Sequence, residues 1–419
     1  MPVNIAGYWT SESLARISNI PIDETCTIII EGTEYRSWKT VRVNLEVGRA
    51  FQEFEVTVAE PVDVITPNAA WQIHVGASCD ILLAGIKVIS GTVEIRQTAY
   101  DAHNHGLMLY GRSFEKDAAD GSVQFPPGED TQIIDGDFQT IMTRALQGTG
   151  VGLMIKNVQS PLFKNFSINF GEGPWHVGER LARFIPGLRI TGDGFGNWIA
   201  QQLSQADPGD ADFVEGQNIL AMHATIDITP MIGHFDARSQ TPNQDDSSPS
   251  SAAEVRATLD DSSVGASYNR QLMIPCEEPS TQEMCTGRVR QEWAYRTMEI
   301  VFADVTVHGW LSKGGVLFGV RLQYGLYSPM ADLSRNDLWS RKVVFQQGDA
   351  GTTTTIELCT AESLGGGFSA LPLSGTSQYY GQGVTPGQAA NAGRTLQVTP
   401  GSGSAINATI PGSTAKPTS

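Results

Sequence analysis

The sequence predicts a mainly β protein with small α/β parts: two antiparallel β domains, of the barrel or sandwich kind, and a small α/β domain between them. Three observations predict this. Strictly alternating segments recur in two separated stretches. Two amphipathic helical segments fall between them. Charged residues make up only 17% of the 419 residues while glycine reaches 44, a balance that favours short strands and turns over long solvated helices.

Residues 1–21 are short, mixed and end in Asn19, Ile20 and Pro21; they read as an N-terminal extension. The first β domain is assigned to 22–111. Cys26 to Glu31 is β-branched and stops at Gly32. Val41 to Val47 and Phe54 to Val58 alternate with period two, the signature of a strand with one wet face. Strands around Cys79 to Leu83 and Lys87 to Ile95 flank Ala84 and Gly85, a hairpin signal, and His105 to Gly111 closes the set.

Residues 112–205 read as the small α/β domain. Asp137 can cap a helix whose Phe138, Ile141, Met142, Ala145 and Leu146 share one face, with Gly148 as its stop. A second helix opens at Gly173 and Pro174, carries Trp175, Leu181, Ala182 and Ile185 inward, and ends at Pro186 and Gly187. Leu188 to Thr191 and Asn197 to Ala200 pair as a hairpin across Asp193 to Gly196.

The second β domain is assigned to 212–240 and 302–362. Its expected strands are Asn218 to Ile228, Asp304 to Trp310, Val316 to Leu322, Arg341 to Gln346 and Thr353 to Leu358. Residues 241–301 interrupt it. They comprise a Ser/Pro/Asn/Asp-rich loop and a helix over Gly287 to Val301, with Val289, Trp293, Thr297, Ile300 and Val301 inward. Residues 363–419 are Gly, Ser, Thr, Pro and Ala with few charges. Such a tail builds no core of its own; it is a flexible linker or an arm that orders on a partner surface.

Charge excludes some functions. Lys plus Arg is 28 against 45 Asp plus Glu, a net −17. That balance argues against sequence-reading DNA binding, which needs basic surface. No apolar stretch approaches a membrane span, so no stable membrane insertion is expected. Met1 to Thr10 has no basic segment followed by an apolar one, so no secretory leader is expected either.

Candidate chemistry is sparse. Asp101, His103 and His105 have a spacing that could hold a metal, but the same pattern is what a polar hairpin presents to water. The acid pairs Glu53/Glu55, Glu277/Glu278 and Asp245/Asp246 lie in no motif that glycoside chemistry would need. The GGGF stretch at 365–368 lacks a phosphate-loop continuation, and no nucleophile elbow is present. The eight tryptophans are spread along the chain; core anchoring is the first reading and a carbohydrate platform the second. We therefore expect no enzyme activity, no catalytic residues, no cofactor and no metal. Of the five cysteines, Cys26, Cys79 and Cys359 sit in apolar strand-like runs. Cys276 and Cys285 bracket a polar loop and are the candidate disulfide, which would need an oxidising environment.

The order of segments carries a resemblance. Tyr35, Trp38, Val41 and Val43, then Phe54 to Val58, Ala84 and Gly85, Ser90 to Val93, Tyr100 and Asp101, and Tyr110 to Ser113 resemble the opening of the Mu-type phage baseplate hub family, the tail protein P family. Phe163 to Phe166, Gly171, Glu172, Glu179 to Ala182 and Gly194 to Trp198 resemble its middle domain, which is also similar to a segment of type VI secretion spike proteins. Val307 to Trp310, Leu338 to Phe345 and Gly351 to Thr355 resemble its closing barrel. The resemblance covers about residues 25 to 362. It implies two tube-protein-like barrels per subunit and a homotrimer with pseudo-sixfold symmetry that adapts a six-fold tail tube to a three-fold spike. The implied partners are the central spike protein, the tube protein or tube initiator, baseplate wedge proteins and the tape-measure protein, with DNA only as passing cargo. The implied location is the virion tail baseplate, with assembly in the host cytoplasm. A phage-like secretion or gene-transfer particle shares these features. A hub-associated peptidoglycan hydrolase would need an acid-pair or amidase motif that the sequence lacks.

Overall fold

The computed structural model describes residues 24–30, 32–36, 38–61, 73–100, 104–202, 206–239, 255–261, 269–298, 301–349, 351–360, 395–400 and 406–409. The N-terminal extension, Asp101, His103, most of the central polar loop and the GGGF stretch lie outside these residues.

Seven strands open the chain: β1 Cys26–Ile30, β2 Thr33–Tyr35, β3 Thr40–Glu46, β4 Glu53–Pro61, β5 Ser78–Leu83, β6 Ile86–Tyr100 and β7 Asn104–Ser113. Alternation set their faces: in β5, Cys79, Ile81 and Leu83 are buried while Ser78 is exposed. Ala84 and Gly85 both take positive φ, 49° and 77°. That conformation matches the strand twist, and it closes the β5–β6 hairpin with Leu83 opposite Ile86. At Gly91 the backbone of β7 comes so near β6 that an added Cβ would stand 2.0 Å from the Arg112 carbonyl oxygen. Backbone atoms cannot yield as a side chain can. Gly91→Ala is expected to cost about 3 kcal/mol, the upper part of the overpacking range. A thermal melt checks this, and an unchanged midpoint would mean that the strands part freely.

The middle region holds α1 Lys116–Asp120, β8 Gln132–Gly136, α2 Phe138–Ala145, β9 Gly152–Lys156, β10 Phe163–Ser167, α3 Pro174–Ala182, β11 Leu188–Gly192 and β12 Asn197–Gln202. Asp137 caps α2 by accepting from the Thr140 amide at 2.8 Å, and Gly148 follows with φ 80°. All five residues read as the inner face of α2 are buried. Gly173 is the N-cap of α3 and Pro174 its first residue. Leu181 is buried, but Val177 and Gly178 complete the inner face, and Trp175 is only half-buried. The β11–β12 hairpin forms as expected. The sequence did not disclose that β9 adds to it in parallel with β12, or that β8 and β10 pair separately.

The remainder comprises β13 Asp207–Val214, β14 Ala221–Ile226, β15 His234–Ser239, β16 Val255–Asp261, β17 Gln271–Pro275, α4 Gln282–Met298, β18 Val301–His308, β19 Leu322–Ser328, β20 Leu333–Gly348, β21 Gly351–Cys359, β22 Thr395–Pro400 and β23 Ile406–Thr409. Several expectations are corrected here. The two β regions are not separate sheets. β20 is long enough to pair with β19 and β21 and also with β3, from Lys342 opposite Glu46 to Gln347 opposite Val41. The result is one 13-stranded sheet, an open path from β14 to β2 among the described residues. One apolar core underlies both regions, joining Val43, Phe54 and Ile81 to Val305, Trp310 and Phe345. The sheet is not wholly antiparallel, since β13 runs parallel to β19.

Val316 to Arg321 is not a strand. Gly315, at φ 77°, turns the chain, and Leu317, Phe318 and Val320 plug the core from a loop. An apolar run of that length reads the same in a buried loop as in a strand. Helix α4 begins five residues before Gly287, and Val301 belongs to β18. The segment read as an inserted loop and helix is an α/β unit. β15 leaves the second β region, pairs with β16 and β17, and α4 packs beneath through Cys285, Val289 and Trp293. The tail also departs from its reading. β22 pairs with β16 of the same chain, Leu259 opposite Val398, and β23 pairs with β22. The physical reason is the free edge of β16, whose amides and carbonyls need partners.

Candidate functional site

The feature that organises this chain is a three-way junction. Its centre is the β11–β12 hairpin of the middle region. Gly48, at φ 80° in the turn after β3, donates its amide to the Thr191 hydroxyl at 2.9 Å. Gly192 donates to the Arg49 carbonyl at 2.9 Å. Trp198, fully buried, donates its Nε1 to the Ala50 carbonyl at 2.8 Å. Gln52 closes the set: its amide group donates to the Gly192 carbonyl at 2.8 Å and accepts from the Glu46 amide at 2.8 Å. The approach is tight. A Cβ on Gly192 would stand 2.5 Å from the Ala50 carbonyl oxygen.

The second β region reaches the same hairpin through Arg321. This residue is buried, sits at φ 64°, and donates from one guanidinium nitrogen to the Thr191 hydroxyl at 2.7 Å. Its other terminal nitrogen donates to Gln201 Oε1 at 2.9 Å. Thr191 thus accepts from both β regions at once. Nothing in its sequence context signals this, because its two donors lie 143 and 130 positions away.

At the turn of the hairpin lies a pair of acids, Glu115 buried and Asp193 half-buried. Glu115 has no exposed surface, and its Oε1 accepts from the Gly194 amide at 2.6 Å. Asp193 accepts from the Phe195 and Asn197 amides and from the Asn197 side chain. Burial, and then the neighbouring Asp193, push the Glu115 carboxyl up to about 7, so it holds a proton for Asp193 over much of the acid range.

Two further contacts tie distant segments. Glu24, just before β1, accepts from the Trp310 amide at 2.9 Å and the Leu311 amide at 3.2 Å in the second β region. Arg180 on α3 bridges Glu172 and Glu278, while Arg183 meets Glu277 at 2.8 Å. A cavity of about 690 Å³ lies along this seam, lined by Trp175, Arg183, Arg189, Arg288, Tyr295 and Arg341 among others.

The sequence candidates divide. Cys276 and Cys285 are brought together, with their sulfurs 3.5 Å apart. Glu277 and Glu278 are consumed in those arginine pairs, and Glu53 accepts from Asn44 and Tyr110. Trp38, Trp198, Trp293, Trp310 and Trp339 are all buried in cores. His74, His176, His223 and His308 are exposed. Among the described residues no three His, Cys, Asp or Glu side chains are gathered as metal ligands, and no helix is long and apolar enough to cross a membrane.

Comparison with known proteins now adds to this geometry. Residues 25–113, which span β1 to β7, match the family described as Mu phage baseplate assembly protein GpP-like, N-terminal. The first β region is thus similar to that domain. The fold as a whole is similar to that of solved tail proteins. The chain superposes on the prophage MuSo2 43 kDa tail protein from Shewanella oneidensis with a TM-score of 0.68 and 21% identity, covering 81% of this chain and 99% of that one. A tail protein from Neisseria meningitidis MC58 gives a TM-score of 0.66 at 15% identity, covering 81% and 98%. The prophage tail protein gp18 from Listeria monocytogenes EGD-e gives 0.53 at 9%, covering 80% and 94%. No curated protein matches by sequence. The chain thus has the fold of these tail proteins, and the region that matches the GpP-like model is held to the rest of that fold by the junction at Thr191.

Proposed function

We propose that this chain is the structural hub of a contractile-tail baseplate, acting as a homotrimer. The observation that carries the reading is a GpP-like baseplate domain within a fold that follows two phage tail proteins over nearly their whole length. Each subunit contributes two β regions, so three subunits present six to a six-fold tube while keeping three-fold symmetry for the spike. One continuous sheet through β3 and β20 supports this reading, because it fixes the two β regions at a set angle without a hinge. A rigid pair is what a symmetry adaptor needs. The work is mechanical: it holds the central spike, seats the first tube ring and meets the wedge proteins.

The acidity has a place in this reading. A bore lined by carboxylates repels the phosphate backbone, so passing DNA slides without condensing on Lys or Arg. A map of the assembled particle in which basic side chains line the bore would remove this part of the proposal. For the tail after residue 363, deletion of 363–419 is expected to reduce particle assembly; wild-type yield would assign it no role there.

The deciding measurement is the mass of purified protein by size-exclusion with light scattering, alone and mixed with its spike partner. We expect three times the 45.2 kDa of the chain in at least the mixed sample. A stable monomer with spike present would overturn the hub reading.

A further inference from the structure

We infer that Cys276 and Cys285 are a reversible dithiol–disulfide staple that fastens the end of β17 to the first turn of α4. The inference rests on where the fold places these two sulfurs and does not depend on the proposed function. Cys276 follows β17 directly, and its amide donates to the Arg238 carbonyl at 2.8 Å, which fixes its backbone against β15. Cys285 sits in the first turn of α4, held by its own amide on the Thr281 carbonyl at 3.0 Å. The two sulfurs are in contact at 3.5 Å without a bond, so closure brings them about 1.5 Å nearer.

The two thiols differ in the way an exchange reaction needs. Cys276 is half-buried and reachable, whereas Cys285 has no exposed surface. The contact with the Cys285 sulfur, and after it the Ser280 hydroxyl and Arg288, hold the Cys276 thiol below the usual thiol range. The same contact and burial raise Cys285. Cys276 is thus the entry thiol and Cys285 the resolving one. Cys26, Cys79 and Cys359 are buried within the large core, and Cys359 gives its thiol to the Trp339 carbonyl.

The oxidant is a small-molecule disulfide. The Cys276 thiolate attacks one of its sulfurs, forming a mixed disulfide and releasing one thiolate. Cys285 then loses its proton and attacks the Cys276 sulfur, releasing the second thiolate. Two electrons pass from the protein thiols to the reagent, which ends as two free thiols. A reducing cytosol leaves the pair open and an oxidising exterior closes it. Cys276 packs against both the middle-region core and the α4 core, so the closed form ties both to one strand end.

The test uses the full chain and oxidised glutathione. After incubation and acid quench, non-reducing peptide mapping is expected to show Cys276 linked to Cys285, lighter by two hydrogens, with Cys26, Cys79 and Cys359 still free. Amide exchange across α4 should slow about tenfold or more on oxidation, a conservative share of what disulfides contribute. Cys285→Ser should trap glutathione on Cys276, whereas Cys276→Ser should leave Cys285 unmodified in the folded protein. Failure of the wild-type chain to form the link would overturn the pairing, and no variant is needed to see it. A link with unchanged exchange in α4 would overturn the staple. Glutathione on Cys285 in Cys276→Ser at the rate seen on Cys276 would overturn the order of attack.

Discussion

Arg321→Met is expected to lower stability by about 3 kcal/mol, the range for breaking a buried charge-assisted network. The guanidinium joins the second β region to the middle hairpin through Thr191 and Gln201, and both lose a donor when it is removed. Methionine fills much of the volume but donates nothing. The backbone at φ 64° adds a control: Arg321→Gly relieves that conformation yet still loses both bonds. It should therefore melt below the parent as well. Thr191→Val removes the acceptor shared with Gly48. A double-mutant cycle between Thr191→Val and Arg321→Met, read by chemical denaturation, should give a coupling of about 1–2 kcal/mol. Additive effects would mean that the junction is merely adjacent packing.

The second large effect is a pH dependence centred on Glu115. Its folded-state value is raised to about 7 from an ordinary 4.5. A carboxyl raised on folding binds its proton more tightly in the native state. Its contribution is therefore complete below about pH 4.5 and is lost as pH rises through about 7. Between pH 5 and pH 8 the wild type should lose about 2–3 kcal/mol from this group alone, at 1.36 kcal/mol per pKa unit. Glu115→Gln keeps the acceptor for the Gly194 amide and supplies a permanent donor toward Asp193. Its stability should fall less over that interval, so that it exceeds the wild type at pH 8. Denaturant titrations at the two pH values decide this; parallel profiles for wild type and Glu115→Gln would show that the acids do not share a proton. The position matters, because the pair sits at the turn of the hairpin that both β regions grip. Loosening at alkaline pH is expected first at Asp193 to Asn197, where hydrogen exchange would report it.

Much of this molecule was legible locally. Alternation located β3 and β4, Ala84 and Gly85 marked the hairpin of β5 and β6, and Asp137 marked the start of α2, because each signal is a property of neighbouring residues. The pair Cys276 and Cys285 was visible for the same reason, as two cysteines bracketing one short loop. The order of segments also pointed to the baseplate family, whose N-terminal model residues 25–113 match.

What the sequence could not state depends on partners far along the chain. Alternation shows that β20 and β3 are strands, but it does not show that they pair, since the register of two strands leaves no local mark. The loop of Leu317, Phe318 and Val320 is apolar whether it lies in a strand or plugs a core. Arg321 and Thr191 are ordinary residues until folding brings them within 2.7 Å, and Glu115 is an ordinary acid until Asp193 and the surrounding core remove its water. Local composition thus determined which segments are strands and helices. Tertiary contact alone decided that two β regions share one sheet and that a single threonine receives both, because hydrogen bonds over such separations are set by the closed chain and not by its neighbours.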